Sequence, residues 1–169
     1  HSRHGVVSKA IFIRLWKQQR ALEREVLLRA QANKEIKHLA THDHLTGIAN
    51  RVLLTDLIGK AFARAKRYEL KLAILFLDLD GFKSINDAYG HDAGDYLLKV
   101  YSQRLTSSVR AIDSVIRFGG DEFIILLTDL QDRGEALTSA NRISDALAKP
   151  LNWKGHNLLI TASIGIACY

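Results

Sequence analysis

Residues 114–127 read SVIRFGGDEFIILL. Two apolar runs, residues 114–118 and 122–127, flank the glycine pair Gly119 and Gly120. Adjacent glycines between apolar runs are a strong signal for a β-hairpin, because glycine adopts positive φ without steric cost. The stretch therefore predicts two antiparallel strands, with two acidic residues directly after the glycine pair.

Strand and helix patterns lie on both sides of this hairpin. The predicted elements are a helix over residues 51–68 capped by Asn50, a strand over 72–77, a helix over 90–105, the hairpin, a helix over 134–149 stopped by Pro150, a small hairpin over 151–155 and a closing strand over 158–168. After residue 68 this order is β-α-β-β-α-β, the ferredoxin-like plan, in which the first and third strands are antiparallel neighbours. The predicted fold class is α+β: a ferredoxin-like or palm-type central sheet with antiparallel strands, flanked by helices and preceded by a long N-terminal helix.

Residues 11–40 contain neither glycine nor proline and are rich in helix-forming side chains. A heptad seam runs through them, and six of its nine members are apolar: Phe12, Leu15, Gln19, Leu22, Val26, Arg29, Asn33, Ile36 and Ala40. Two interpretations stay open, a marginal coiled coil that pairs two chains and a helix that lies on its own domain. The predicted division is a helical stalk over 1–40 and a folded domain over 41–169.

The net charge of +6 belongs to the stalk alone. Residues 1–40 hold nine Lys and Arg against three Asp and Glu, whereas residues 41–169 hold fifteen of each. A nucleic-acid binder more often spreads basic charge over its folded body, so we expect no nucleic-acid partner. Two interpretations of the basic stalk stay open. It could follow a membrane-spanning or sensory region on the cytoplasmic side, or it could be an ordinary solvated helix rich in Lys and Arg.

Cys168 is the single cysteine, so the sequence predicts no internal disulfide and a reducing, cytoplasmic setting. The sequence shows no secretory signal pattern and no apolar run of bilayer-spanning length. The expected location is therefore the cytoplasm, either as a cytoplasmic protein or as the cytoplasmic portion of an inner-membrane protein.

Acidic residues follow two strands that the predicted fold makes neighbours. Asp78 and Asp80 end the first strand, and Asp121 and Glu122 begin the third. Carboxylates gathered at one site repel each other unless a cation neutralises them, and oxygen ligands without His or Cys favour Mg²⁺ or Mn²⁺. We call these four residues the acidic rim, and with a bound metal ion such a rim suits phosphoryl or nucleotidyl transfer. The alternative is that these acids only cap strands and turns.

Other residues near the rim have side chains suited to a nucleotide. Gly119 and Gly120 leave room for a phosphate or base beside the backbone, and Lys83 offers a positive charge to a triphosphate. Asn86 and Asp95 could read the hydrogen-bonding edge of guanine. The alternatives are that Lys83 is an ordinary exposed lysine and that Asn86 and Asp95 serve in helix capping.

These motifs resemble the GGDEF-domain diguanylate cyclase family from Asp43 to Tyr169. The resemblance rests on RFGGDEF at 117–123, DHLTGIANR at 43–51, FLDLDGFK at 76–83, IND at 85–87, GHDAGD at 90–95 and TASIGIA at 161–167. It implies condensation of two GTP molecules into cyclic di-GMP and two pyrophosphates. Each domain would bind one GTP, so ring closure would need a homodimer formed through the stalk, the domain or both.

The resemblance also implies roles for individual residues. Asp78 and Asp121 would hold metal, helped by the Leu79 backbone carbonyl and Glu122, with two Mg²⁺ or Mn²⁺ ions per active site. Asp121 would also serve as the base for the 3′-hydroxyl, with Glu122 beside it, and Lys83 would stabilise charge on the transferring phosphate. The guanine and ribose pocket would be lined by Asn86, His91 and Asp95.

Arg110 and Asp113 precede the glycine pair with five residues between Asp113 and Gly119, where they resemble the family's product-inhibition site. The plain alternative is a surface ion pair.

Family members continue beyond the TASIGIA strand into a basic helix, which residues 41–169 do not include. This implies that the chain is a fragment or lacks part of the phosphate-binding surface, and residues 148–167 resemble domains that precede a phosphodiesterase domain. The alternative functions are a GTP or cyclic di-GMP binding module without turnover, within a larger GGDEF–phosphodiesterase protein, and an inert domain on a dimerising stalk.

Overall fold

A computed structural model describes the backbone of residues 2–169 and the side chains from residue 8 onward. The chain divides into two compact units, residues 1–40 and 41–169. The first is helix α1, Ser2–Thr41, which confirms the predicted long N-terminal helix. Every described side chain from Ser8 to Ala40 is exposed, including Phe12 at 68% and Leu27 at 70%. None of the helices in the described residues is long and apolar enough to cross a membrane.

The central sheet has five strands in the order β1-β3-β4-β2-β7. These are β1 (Ala49–Asn50), β2 (Lys71–Asp80), β3 (Ser114–Arg117), β4 (Glu122–Leu130) and β7 (Thr161–Cys168). Strand β2 pairs antiparallel with β4 on one side and with β7 on the other. Since β2 and β4 are the first and third strands after residue 68, the predicted α+β arrangement is confirmed. A separate hairpin joins β5 (Leu151–Trp153) to β6 (His156–Leu158).

Four helices accompany the sheet: α2 (Arg51–Tyr68), α3 (Phe82–Tyr89), α4 (His91–Ser108) and α5 (Arg133–Leu147). The predicted cap of α2 is confirmed, because the Asn50 side chain accepts hydrogen bonds from the Val52 and Leu53 amides. Helix α3 was missing from the sequence prediction. It has only eight residues, so it carries too few apolar repeats to show a helical period.

The predicted single closing strand over 158–168 is wrong. Strand β6 ends at Leu158 and β7 begins at Thr161, and the two belong to different sheets. Because Leu158 and Ile160 are both buried, the apolar pattern continues through the break and conceals it.

The two faces of the sheet are covered unequally. On one face, Leu75, Leu77 and Leu79 of β2 are at most 2% exposed in a core shared with α4 and α5. On the other face, α2 packs its small side chains Ala61 and Ala65 against one end of the sheet. At the opposite end of that face, alternate β2 residues are exposed: Phe76, Asp78 and Asp80. The uncovered end of the sheet is therefore the acidic end.

Candidate active site

The register between β2 and β4 brings the predicted acidic rim together. Asp78 lies directly opposite Glu122, and the Leu79 amide donates a hydrogen bond of 3.2 Å to the Asp121 carbonyl. Asp78 and Glu122 are exposed, while Asp121 is half-buried. Three acidic residues named from the sequence thus meet with the Leu79 backbone at one end of the sheet, and two of them, Asp78 and Glu122, are exposed to solvent.

Asp80 differs from the other acidic residues because its carboxylate is hydrogen-bonded to β7. Its carboxylate accepts hydrogen bonds from the Thr161 hydroxyl at 3.0 Å and the Ser163 hydroxyl at 2.8 Å. Neither hydroxyl residue was among the predicted site residues. Their alternation on the closing strand is the signal that could have indicated them, once the register opposite β2 was known.

The backbone conformation of the glycine pair differs from the prediction. Positive φ occurs at Gly47, Gly81, Gly90 and Gly155 but at neither Gly119 nor Gly120. A Cβ at Gly119 would instead lie 2.9 Å from Glu122 Oε2, so glycine gives the Glu122 carboxylate room to fold over the turn. The Phe118 and Gly119 amides both donate to the Glu122 carbonyl, at 2.9 and 3.3 Å. The space beside Gly120 is open, as expected for a ligand-facing turn.

Asn86 lies where α3 meets α4. Its half-buried side chain rests on the backbone of Gly94, and a Cβ there would overlap Asn86 Oδ1 and lie 2.9 Å from Asn86 Cγ. Asp95, the next residue of α4, is exposed. The N-cap positions of α3 and α4 are Gly81 and Gly90, so neither Asn86 nor Asp95 is the N-cap of a helix.

Lys83 and His91 lie on different helices, α3 and α4. Lys83 is exposed on the first turn of α3. His91 lines an open cavity of about 410 Å³ with Tyr89, Trp153 and His156, and so faces the β5–β6 hairpin.

The donor set at the rim suits a hard divalent ion that arrives with a nucleotide. No three His, Cys, Asp or Glu side chains within residues 8–169 are grouped to hold a metal. Mg²⁺ is commonly bound by one or two carboxylates together with substrate phosphates and waters, rather than by a complete protein cage. The opposed carboxylates of Asp78 and Glu122 fit that mode of binding.

Arg110 and Asp113 form the ion pair that was the plain alternative. The Asp113 side chain is 1% exposed and accepts from Arg110 Nε and Nη2, each at 3.1 Å, and from the Thr128 amide at 3.1 Å. Arg110 also donates to the Thr128 carbonyl. The Arg110 side chain remains 43% exposed, so an inhibitory role stays a prediction.

Arg117 had no predicted role, yet its side chain joins two loops. Its Nη1 lies 3.1 Å from both carboxylate oxygens of Asp43, while Nε and Nη2 donate to the Gly120 carbonyl at 3.2 and 2.9 Å. Burial raises the pKa of Asp43, but hydrogen bonds from Thr46 and from Arg117 outweigh it, so this pKa lies below its usual value. Asp43 is therefore charged at neutral pH.

Residues 40–169 match the family model described as "Diguanylate cyclase, GGDEF domain". The chain belongs to the GGDEF domain family. The GGDEF domain is 44% identical over 140 residues to the bifunctional diguanylate cyclase/cyclic di-GMP phosphodiesterase MucR of Pseudomonas aeruginosa, covering 83% of this chain and 20% of MucR. The chain thus spans about a fifth of that relative's length.

Solved structures agree with this assignment. A sensory box/GGDEF family protein from Caulobacter crescentus has a TM-score of 0.74 and 38% identity, over 76% of this chain and 83% of that one. The GGDEF domain of DgcB from Caulobacter crescentus, in complex with c-di-GMP, has a TM-score of 0.71 and 27% identity, over 77% and 78%.

We predict that Asp43→Asn destabilises the GGDEF domain by about 1–3 kcal/mol at pH 7, because it removes the charged partner of Arg117. The folded pKa of Asp43 is depressed, so this stabilisation is present above the ordinary pKa of 3.8 and is lost as pH falls through the folded value. Urea unfolding of both proteins between pH 7 and pH 3 measures the difference. A difference that stays constant across this range would contradict the assignment.

Proposed function

We propose that this GGDEF domain is a diguanylate cyclase, which condenses two GTP molecules into cyclic di-GMP and releases two pyrophosphates. The observation that carries the proposal is the register of Asp78 opposite Glu122, with Asp121 hydrogen-bonded to Leu79, at the uncovered end of the sheet. The cyclase activity named for MucR supports the same reaction.

In this proposal the acidic rim holds Mg²⁺ or Mn²⁺, with two ions per active site. Asp78, Asp121, Glu122 and the Leu79 carbonyl would be the protein ligands. Bound divalent ions polarise the attacking and leaving oxygens in nucleotidyl transfer. Asp121 would accept the proton of the 3′-hydroxyl as it attacks the α-phosphorus of the second GTP.

Residues around the rim would bind and orient GTP. Lys83 would neutralise charge on the phosphates, since a lysine ammonium acts as a compact point charge. At the guanine edge, Asn86 would donate and accept hydrogen bonds and Asp95 would accept them, with His91 near the ribose. The open turn at Gly119 and Gly120 would let phosphate oxygens approach the backbone.

Ring closure would require two domains, each with one bound GTP, so we propose a homodimer. Two nucleotides held face to face react as though they were one molecule, which makes alignment the main source of rate. The exposed apolar side chains of α1, among them Phe12, Leu15 and Val26, support pairing through the stalk. We place the reaction in the cytoplasm, where GTP is available, downstream of a sensory region in a longer protein.

Incubation with GTP and Mg²⁺ or Mn²⁺, followed by chromatography, tests the proposal directly. Cyclic di-GMP and pyrophosphate are the expected products. GTP binding without product would instead indicate a binding module, and neither binding nor product would indicate an inert domain.

We predict that Asp121→Ala lowers the rate of cyclic di-GMP formation by about 10²–10⁴-fold, because it removes both a metal ligand and the proton acceptor. Its melting temperature should stay near that of the wild type. Asp145→Ala, which removes an exposed carboxylate from α5, is the control and should retain full activity. Near wild-type turnover in the Asp121 variant would contradict the metal assignment.

We predict that Gly94→Ala weakens GTP binding by at least about tenfold while the domain stays folded, because the new Cβ displaces the Asn86 carboxamide and a lost hydrogen bond has roughly that effect. Gly59→Ala is the matched control. It lies within α2, has open space at its Cβ position and should bind GTP as the wild type does. Calorimetric titration with GTP and ATP gives the comparison, and loss of the GTP preference is expected only in the Gly94 variant.

We predict that Arg110→Ala relieves inhibition by cyclic di-GMP, because guanine recognition loses its paired N–H donors. The inhibition constant should rise by at least about tenfold, with the initial rate unchanged. Arg133→Ala, an exposed arginine at the start of α5, is the control. Unchanged inhibition in the Arg110 variant would leave the ion pair with a structural role only.

A further inference from the structure

Arg117 ends β3, and its guanidinium bonds in two directions. One side faces the Asp43 carboxylate in the 42–48 loop, and the other donates two hydrogen bonds to the Gly120 carbonyl. Asp43 is 74 positions away in sequence, whereas Gly120 is three away. Both ends of the ion pair are largely shielded, with 16% of the Arg117 side chain and 20% of the Asp43 side chain exposed.

The 42–48 loop is a firm anchor for this guanidinium. The Asp43 amide donates to the Ile48 carbonyl and the Gly47 amide donates to the Asp43 carbonyl, each at 2.8 Å. The Thr46 amide and hydroxyl both donate to Asp43 Oδ2, at 2.9 and 2.7 Å. The carboxylate is thus held in one orientation before Arg117 binds it.

The glycine turn, by contrast, has little to hold its middle. Glycine loses more backbone freedom on ordering than any other residue, and Gly120 has open space around its Cβ position. The described bonds elsewhere in the turn reach its two sides, through the Glu122 and Asp121 carbonyls. The Arg117 fork acts on the carbonyl directly before Asp121.

We propose that Arg117 is a positioning residue, which fixes the turn carrying Asp121 and Glu122 to the 42–48 loop. This rests on the proposed function insofar as those two acids serve the reaction. In this proposal Asp43 fixes the position of the Arg117 guanidinium, and the guanidinium fixes the Gly120 carbonyl. The position of Gly120 then fixes the two acidic residues that follow it. Lysine cannot replace this group, because a single ammonium cannot bind a carboxylate and a carbonyl in the fixed geometry of a planar fork.

The direct test is amide hydrogen exchange by NMR on wild type and Arg117→Lys. We expect exchange of the Gly119 amide to speed up by at least about tenfold, as loss of charged hydrogen bonds implies, while the Leu75 amide in the core is unchanged. Arg64→Lys is the matched control, since Arg64 binds both Asp129 carboxylate oxygens far from the turn in sequence. Unchanged Gly119 exchange in the Arg117 variant would overturn the proposal.

A charge swap tests whether Arg117 must bind both Asp43 and Gly120, an arrangement that we call the clamp. The alternative is that an ion pair between positions 43 and 117 is sufficient. Asp43→Arg combined with Arg117→Asp can restore the attraction between the loops, but an aspartate at 117 cannot donate to the Gly120 carbonyl. We expect Gly119 exchange to stay fast in the swapped protein, and full restoration would refute the clamp. Thr46→Val, which removes the hydroxyl that donates to the Asp43 carboxylate, is the milder variant and should also speed up Gly119 exchange.

Kinetics then connect the clamp to the reaction. In Arg117→Lys we expect a lower kcat and a higher Mg²⁺ requirement, with GTP affinity in EDTA unchanged, because the residues proposed to bind guanine lie on α3 and α4. Equal loss of metal-free GTP affinity would indicate general damage and overturn the positioning role. If the wild type makes no cyclic di-GMP, the proposed function fails, and the exchange data still decide whether Arg117 holds the turn.

Discussion

The antiparallel register between β2 and β4 is the constraint on which the site depends. It sets Asp78 opposite Glu122 on one face, while Leu77 and Phe123 are paired and buried on the other. A slip of one residue would exchange the faces of β4, since side chains alternate along a strand. Glu122 would then point into the core, so the burial of the apolar face also fixes the position of the acids.

Incomplete coverage of the second face leaves this arrangement accessible. Helix α2 covers one end of that face, where Ala61 and Ala65 allow close approach to Leu72 and Leu126. The other end stays open and carries the rim. The division of one sheet face into a packed half and an exposed half therefore provides both stability and a place for a ligand.

The contacts around the rim come from several distant parts of the chain. The hydroxyls of Thr161 and Ser163 hold Asp80, and Arg117 links Gly120 to Asp43. In the sequence, Asp43 lies only two positions after Thr41, the last residue of α1.

Much of the fold was predictable because its signals are local. The hairpin at 114–127, the cap at Asn50 and the buried strand of β2 follow from apolar runs, glycines and side-chain hydrogen bonds within a few residues. The eight-residue α3 and the break between β6 and β7 were missed, because a short helix shows no clear period and buried side chains continue across that break.

The sequence by itself determined the α+β class, the family and the identity of the acidic residues at the end of the sheet. Only the tertiary structure decided that Asp80 is bound by β7 hydroxyls, that Gly119 makes room for Glu122, and that Arg117 reaches Asp43. The physical reason is sequence distance. Local propensity and periodicity extend over a few residues, whereas these contacts depend on strand register and on loops that meet only in the folded domain.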